Sequence, residues 1–422
     1  MAILLALCLL TEAAVRVGLA SWAGESFQSL SFYRWSPYGL VRNNPSLTSP
    51  AFKISANGFR AVTEYESAKP EHTFRVLLMG GSVLYSGLGG PARLSNYGRV
   101  SSAETIAPFL QEKLEGDPAF ADFRIEVINT SLNFNRIVEV SSSYLEEYVH
   151  WSPDFVVVFG SINNFKHVRY RGDFEGHKTI LQTPHVWRAE FERLVNDTSL
   201  SAWLERGWRG AGEHSAALAV ASKGLVKLAN KLVGPSQRAL APPSSATPPE
   251  LESAEESNRY FDLYAFYADA MIAAAQRLEH GIAFVWEPLL ADLIGVKALS
   301  EEEARIAKIL QRDSGGMAQF EASRLRFGDF FESQNVPHVD PTERMKTHDQ
   351  TVFIDYAHYT QGGNEFIADV VYERLRPDLL KRLRSRQMTE ASAALKASSA
   401  KGIGHTSCLP AQRPSLGVML NP

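Results

Sequence analysis

Cysteine is almost absent from this chain: Cys8 and Cys408 stand near opposite ends of its 422 residues. That leaves no disulfide framework and no cysteine cluster for a metal. The eleven histidines contain no His-x-x-x-His spacing and the cysteines no Cys-x-x-Cys, so neither a zinc site nor any other metal or cofactor is expected. Charge of one sign is also missing. The 43 basic and 47 acidic residues leave a formal charge of −4, with no basic stripe that would fit nucleic acid. Finally, no apolar run is long. Met1–Leu10 is almost wholly apolar and the character continues weakly to about Ala23, but Glu12 and Arg16 interrupt it. A membrane span needs roughly 20 largely apolar residues. Three readings of residues 1–23 therefore stand: the end of an anchor that begins upstream, a weak signal segment, or a buried helix. An envelope-directed anchor is the expectation.

What is present describes a folded body. Hydrophobic residues at 45% and charged residues at 21% are enough for a substantial core. Residues 24–72 read as an irregular lead-in, punctuated by Pro37, Pro45, Pro50 and Asn57-Gly58. Five short apolar runs follow: Val76–Met79, Arg124–Ile128, Asp154–Phe159, Ile282–Trp286 and Val336–Val339. Val76–Met79 and Asp154–Phe159 lack polar alternation, as strands buried on both faces do. Helical periodicity separates them, at Ala103–Leu114, Ile137–Tyr148, Phe261–Leu278, across 300–333 and at 362–383. Strands alternating with helices predict a parallel sheet with right-handed crossovers. The rhythm breaks over about 170–255, where Trp187, Trp203 and Trp208 and an Ala/Leu/Lys stretch predict a helical insertion closed by a proline-rich linker. Residues 73–386 are taken as the main domain, and 387–422 as a disordered tail because periodicity is lost there.

The chemistry gathers at predicted strand ends. After Val76–Met79 come Gly80 and Gly81, whose backbone freedom lets them present Ser82 at the rim of the sheet. Ser82 is the candidate nucleophile. A phosphate-cradling loop is the rival reading of Gly80, Gly81, Gly87, Gly89 and Gly90, but no Lys-Ser/Thr pair follows them. The second strand delivers Asn129-Thr130-Ser131, and the third delivers Gly160-Ser161-Ile162-Asn163. Near the end of the chain Asp355 and His358 are three apart, on one face if that stretch is helical. An aspartate so placed can fix the tautomer of the ring and leave its other nitrogen free to take a serine proton. His348-Asp349 is a rival pair, less apt because adjacent side chains point apart.

Gly80-Gly81-Ser82, Asn163 in its strand-end loop and Asp355-x-x-His358, in that order, resemble the blocks of the SGNH hydrolases, or GDSL esterase/lipase family. The likeness covers roughly 73–165 and 256–376 and points to the large bacterial membrane-anchored type. Two further stretches resemble it: Asn57-Gly58-Phe59-Arg60 in the lead-in, and Glu287-Pro288 with Leu299 and Glu301–Glu303 after the fourth strand. Serines at 131 and 161 depart from glycines of the family pattern, Gly81 stands where many members have aspartate, and Asn164 where an acidic residue is frequent. The resemblance implies a flavodoxin-like three-layer α/β/α sandwich on a mostly parallel five-stranded sheet. It further implies a catalytic triad of Ser82, Asp355 and His358, with an oxyanion hole from the N–H groups of Ser82 and Ser131 and the side-chain amide of Asn163. The expected activity is cleavage of carboxylic esters through an acyl-enzyme, on an acylated small molecule, glycan or lipid of the cell envelope, with membrane association through the N-terminus. An O-acyltransferase with the same triad and a non-catalytic binding or assembly module are the alternatives.

Overall fold

A computed structural model of the chain describes residues 2–23, 33–36, 40–45, 53–86, 100–133, 135–165, 217, 254–310 and 317–402. Its elements run α1 (Ala2–Ala23), β1 (Tyr33–Ser36), β2 (Leu40–Asn43), β3 (Thr73–Met79), α2 (Ser82–Tyr85), α3 (Ile106–Glu115), β4 (Arg124–Asn129), α4 (Ile137–Glu146), β5 (Phe155–Phe159) and α5 (Ile162–Phe165). They continue with α6 (Ala254–Arg277), β6 (Gly281–Val285), α7 (Glu301–Leu310), α8 (Met317–Ser333), β7 (His338–Val339), α9 (Thr342–Lys346) and α10 (Gln361–Gly402).

Five strands form an all-parallel sheet in the order β4-β3-β5-β6-β7. This is the doubly wound order in which the chain reverses direction between β3 and β5, where such sheets open a crevice at their carboxyl ends. Each of the five apolar runs is a strand of this sheet. β3 and β5 are buried along their whole length because helices cover both faces. α3 and α10 pack together over one face, and α4, α6 and α8 over the other. An aromatic cluster of Phe165, Tyr264, Trp286, Phe327 and Phe331 joins α5, α6 and α8 to β6.

The opposite, amino-terminal end of the sheet is closed by charge. Arg75 is fully buried yet meets Glu126 at 2.7 Å and donates to the carbonyls of Glu66, Ser67 and Trp151. Its own N–H donates to Asp154, which also accepts from Lys69 and Arg386. A buried guanidinium is tolerated only when its donors are met in this way. Asp117 serves the same end on the helical face. Hydrogen bonds from Arg376, an amide and Tyr372 dock α10 on the end of α3 and pull the Asp117 carboxyl down to about 2.

Two expectations change. The tail predicted from 387 is helical as far as Gly402, since α10 continues past the point where its apolar stripe ends. Helix-forming residues, the Arg386–Glu390 pair at 2.7 Å and the anchorage of Arg386 on Asp154 sustain the continuation. The lead-in contains the antiparallel pair β1–β2 and a turn at Asn57-Gly58 closed by an Ile54–Arg60 bridge. Gly58, at φ +83°, supplies the left-handed conformation that turn needs. At the N-terminus α1 is one helix of 22 residues with Glu12 and Arg16 paired along it, and no helix among the described residues is long and apolar enough to cross a membrane. The predicted insertion at about 170–255 lies almost wholly outside the described residues, as do 403–422.

Gly80 shows what the glycine pair does. Neither Gly80 nor Gly81 has a positive φ, so backbone freedom is not the reason for them. A Cβ on Gly80 would lie 2.5 Å from the carbonyl oxygen of Phe159, in the backbone of the neighbouring strand. A Cβ on Gly81 would lie 2.5 Å from the Asn163 amide nitrogen. Close approach is the requirement. Gly80→Ala is expected to cost roughly 1–3 kcal/mol in urea unfolding, the usual penalty of overpacking. A variant as stable as the parent would show that β3 and β5 part without resistance.

Candidate active site

Ser82 opens α2 directly after the carboxyl end of β3, with Gly81 at the N-cap. Its N–H is therefore among those that begin a helix without an intrahelical acceptor. The far end of this single turn is tied down by neighbours. Asn129 at the end of β4 donates to the Leu84 carbonyl at 3.0 Å, and Arg60 donates to the carbonyls of Tyr85, Ser86 and Val100. Arg60 is fully buried, and burial lowers its guanidinium to about 10. Sequence reading placed Arg60 only in a lead-in motif. Its task became visible when the fold brought it under the turn that carries Ser82.

Asp355 and His358 sit in a loop at the same rim, although not in a helix. A Phe353–Tyr359 bridge and the bonds Ile354 N–H to His358 O (2.9 Å) and Thr360 N–H to Val352 O (2.7 Å) close the stretch 352–360 on itself. Inside it, Asp355 Oδ1 accepts the N–H groups of Ala357 and His358 at 2.8 Å each. Its Oδ2 lies 2.7 Å from His358 Nδ1. The spacing of three is thus set by an Asx-type turn rather than by helical periodicity. Gly363 lets the loop sit against α10, because a Cβ there would lie 2.4 Å from the Val352 carbonyl oxygen.

The second nitrogen of the imidazole completes the line: His358 Nε2 is 2.9 Å from Ser82 Oγ. Burial raises the Asp355 carboxyl, but the His358 contact and the two amides outweigh it and hold the group below its usual range. An ionised carboxylate can only accept, so Nδ1 carries the proton and Nε2 is left to accept from Ser82. Serine, imidazole and carboxylate are thereby joined over 276 residues of sequence separation. The rival His348 lies elsewhere, its ring 4.3 Å from that of Phe366.

The three expected oxyanion donors divide. Asn163, on the short α5, gives one amide hydrogen to the Asn135 carbonyl at 2.9 Å. A carboxamide has two donors, and the second is carried on a nitrogen that lies beside Gly81, the residue before Ser82. Ser131 differs: its N–H donates to Asn129 Oδ1 at 3.1 Å, and its hydroxyl donates to the same oxygen. The expected Ser131 donor is engaged within its own loop, because the serine side chain brings the Asn129 carboxamide into play. The donors brought to Ser82 are its own N–H and Asn163.

Two buried glutamates that the residue types alone did not assign hold this rim. Glu303 accepts from Ser300, Val352 and Phe353 N–H and pairs with Lys297 at 3.4 Å, fixing the start of the Asp355–His358 loop. Glu287, directly after β6, accepts from the amides of Ser161 and Ile162. Burial raises its carboxyl in spite of those bonds. No group of histidine, cysteine, aspartate and glutamate among the described residues could hold a metal ion.

No protein-family model matches the chain, and no curated protein does. Among solved structures, the acetyl xylan esterase AlAXEase is similar over 71% of this chain and 98% of its own, at 11% identity and a TM-score of 0.38. The acetylxylan esterase Axe2 of Geobacillus stearothermophilus matches over 72% of this chain and 96% of its own, with 11% identity and a TM-score of 0.36. A putative acylhydrolase from Bacteroides fragilis covers 74% of this chain and 92% of its own, with 12% identity and a TM-score of 0.36. The chemistry of the site is therefore read from its own geometry.

Proposed function

We propose that this chain is a serine esterase of the SGNH type, cleaving carboxylic esters through an acyl-enzyme. One observation carries the reading: Ser82 Oγ, His358 Nε2, His358 Nδ1 and Asp355 Oδ2 stand in line at 2.9 and 2.7 Å. His358 takes the proton of Ser82 as its oxygen attacks the ester carbonyl, and Asp355 stabilises the imidazolium that results. The Ser82 N–H and the Asn163 amide receive the charge on the carbonyl oxygen. His358 then hands its proton to the departing alcohol. Water enters and attacks the acyl carbonyl as His358 takes its proton; His358 then returns that proton to Ser82 Oγ as the acyl–oxygen bond breaks, and the acyl group leaves as a carboxylic acid.

The substrate proposed is an acyl ester carried by a glycan or lipid of the cell envelope. The apolar opening of the chain supports that location, with Leu7, Leu9 and Leu10 exposed along α1. Transfer of the acyl group to a polymer hydroxyl instead of water would use the same residues. A fluorophosphonate probe tests the core of the proposal, since it reacts only with a serine activated in this way. The expected result is a single phosphonyl adduct that peptide mapping places on Ser82. A protein that stays unmodified would instead be a binding module on this fold.

A further inference from the structure

Glu287 follows β6 at the rim and is almost completely buried, 3% exposed. Its Oε2 accepts Ser161 N–H at 2.9 Å and Ile162 N–H at 3.1 Å. These are the amides at the start of α5, the turn that carries Asn163. The grip is reciprocal. The Glu287 N–H donates to Ser161 Oγ at 2.8 Å, and that hydroxyl faces Glu287 Oε2 at 3.4 Å. Ser161 is one of the residues that departs from the glycine of the resembled pattern, and its side chain is what lets the two strand ends interlock. The partnership is incomplete on one side: Glu287 Oε1 is buried with no hydrogen-bond partner. A buried carboxylate left half-satisfied costs stability. Residues retained at such a cost concentrate where a site has to be held in place.

What Glu287 holds lies against the nucleophile. Asn163 Nδ2 is so near Gly81 that a Cβ there would come within 2.5 Å of it. The segment after Glu287 also meets the base loop, through Leu290 N–H to Tyr356 O at 3.0 Å. Tyr359 on the same loop donates its hydroxyl to the Pro288 carbonyl at 3.5 Å, next to Glu287.

We propose that Glu287 is a positioning residue for ester cleavage: by clasping the Ser161 and Ile162 amides, it fixes the turn that aims the Asn163 carboxamide at the carbonyl oxygen of the substrate. The claim rests on the esterase reading. It adds that transition-state stabilisation depends on a side chain that touches neither substrate nor nucleophile. Ground-state binding does not use the Asn163 donor fully, whereas the tetrahedral oxyanion does, so misplacing it lowers kcat more than it changes KM.

The test compares p-nitrophenyl acetate hydrolysis by the full chain and by Glu287→Ala, Glu287→Gln and Ser161→Ala. Glu287→Ala is expected to lose about 10²-fold in kcat, as when one oxyanion donor is removed, with KM within about threefold. Glu287→Gln keeps an accepting oxygen at the amides and should recover most of that loss. Ser161→Ala removes one strand of the clasp and should lower kcat by about 3–10-fold at constant KM. Full kcat in a folded Glu287→Ala overturns the proposal. If that variant does not fold, unchanged kcat in Ser161→Ala overturns it instead. A parent protein with no Ser82-dependent hydrolysis fails differently, removing the esterase reading and this role together.

Discussion

Ser82→Ala is expected to abolish turnover of short-chain p-nitrophenyl esters, with kcat falling about 10⁴–10⁶-fold, the range seen when the nucleophile of a working triad is removed. The reason is structural as much as chemical. Ser82 Oγ has His358 Nε2 at 2.9 Å, and the substitution removes that oxygen from the imidazole. Stability should be nearly unaffected, since Ser82 is half-buried at the start of α2 and no side-chain cap holds that helix. The informative measurement pairs steady-state rates with thermal unfolding. Lost activity at unchanged Tm assigns the chemistry to Ser82, while retained activity would eliminate Ser82 as nucleophile.

Asp355→Asn is expected to lower kcat by about 10⁴-fold while leaving the fold in place, as the equivalent change does in other triads. Asp355 holds three donors at once: the N–H groups of Ala357 and His358 and the Nδ1 side of the ring. An asparagine oxygen can still accept the amides, but its NH2 group then faces Nδ1 and selects the tautomer with the proton on Nε2. That proton points at Ser82, and the base is lost. A stability signature accompanies the kinetic one. The Asp355 carboxyl is held below its ordinary 3.8 in the folded protein. A depressed carboxyl contributes stability above the unfolded value and loses it as pH falls through the folded value. The difference in stability between the parent and Asp355→Asn should therefore be largest near neutrality and shrink as pH falls below about 4. A gap constant from pH 7 to pH 3 would mean that the carboxylate charge has no part in holding the loop.

Much of the site was legible before any tertiary contact was known, and the parts that were not share a cause. Ser82 could be read because a buried apolar strand ending in Gly-Gly-Ser is a local pattern. Its glycines admit Phe159 and Asn163 at close range and do not supply positive-φ backbone, a distinction that the residue type leaves open. Asp355 and His358 could be paired from their spacing, but a turn closed by Phe353 and Tyr359 sets their geometry. Ser131 was assigned an oxyanion N–H that the Asn129 side chain occupies, because the identity of a hydrogen-bond acceptor depends on side-chain rotamers that no sequence pattern encodes.

The sequence by itself determined the parallel sheet, since each of the five short strand candidates became a strand and the helical periodicities between them became covering helices. It also put Ser82 at the end of a buried strand and set Asp355 three residues before His358. Only the tertiary structure decided that Ser82 and His358, 276 residues apart, meet at hydrogen-bonding distance. Only it revealed that Arg60, Glu287 and Glu303 clamp the loops around them. The physical reason is range. Strand and helix patterns follow from which face of a segment is buried, and neighbouring residues record that. A buried charge is stable only where distant backbone donors or acceptors converge on it, and that convergence exists only once the chain has folded.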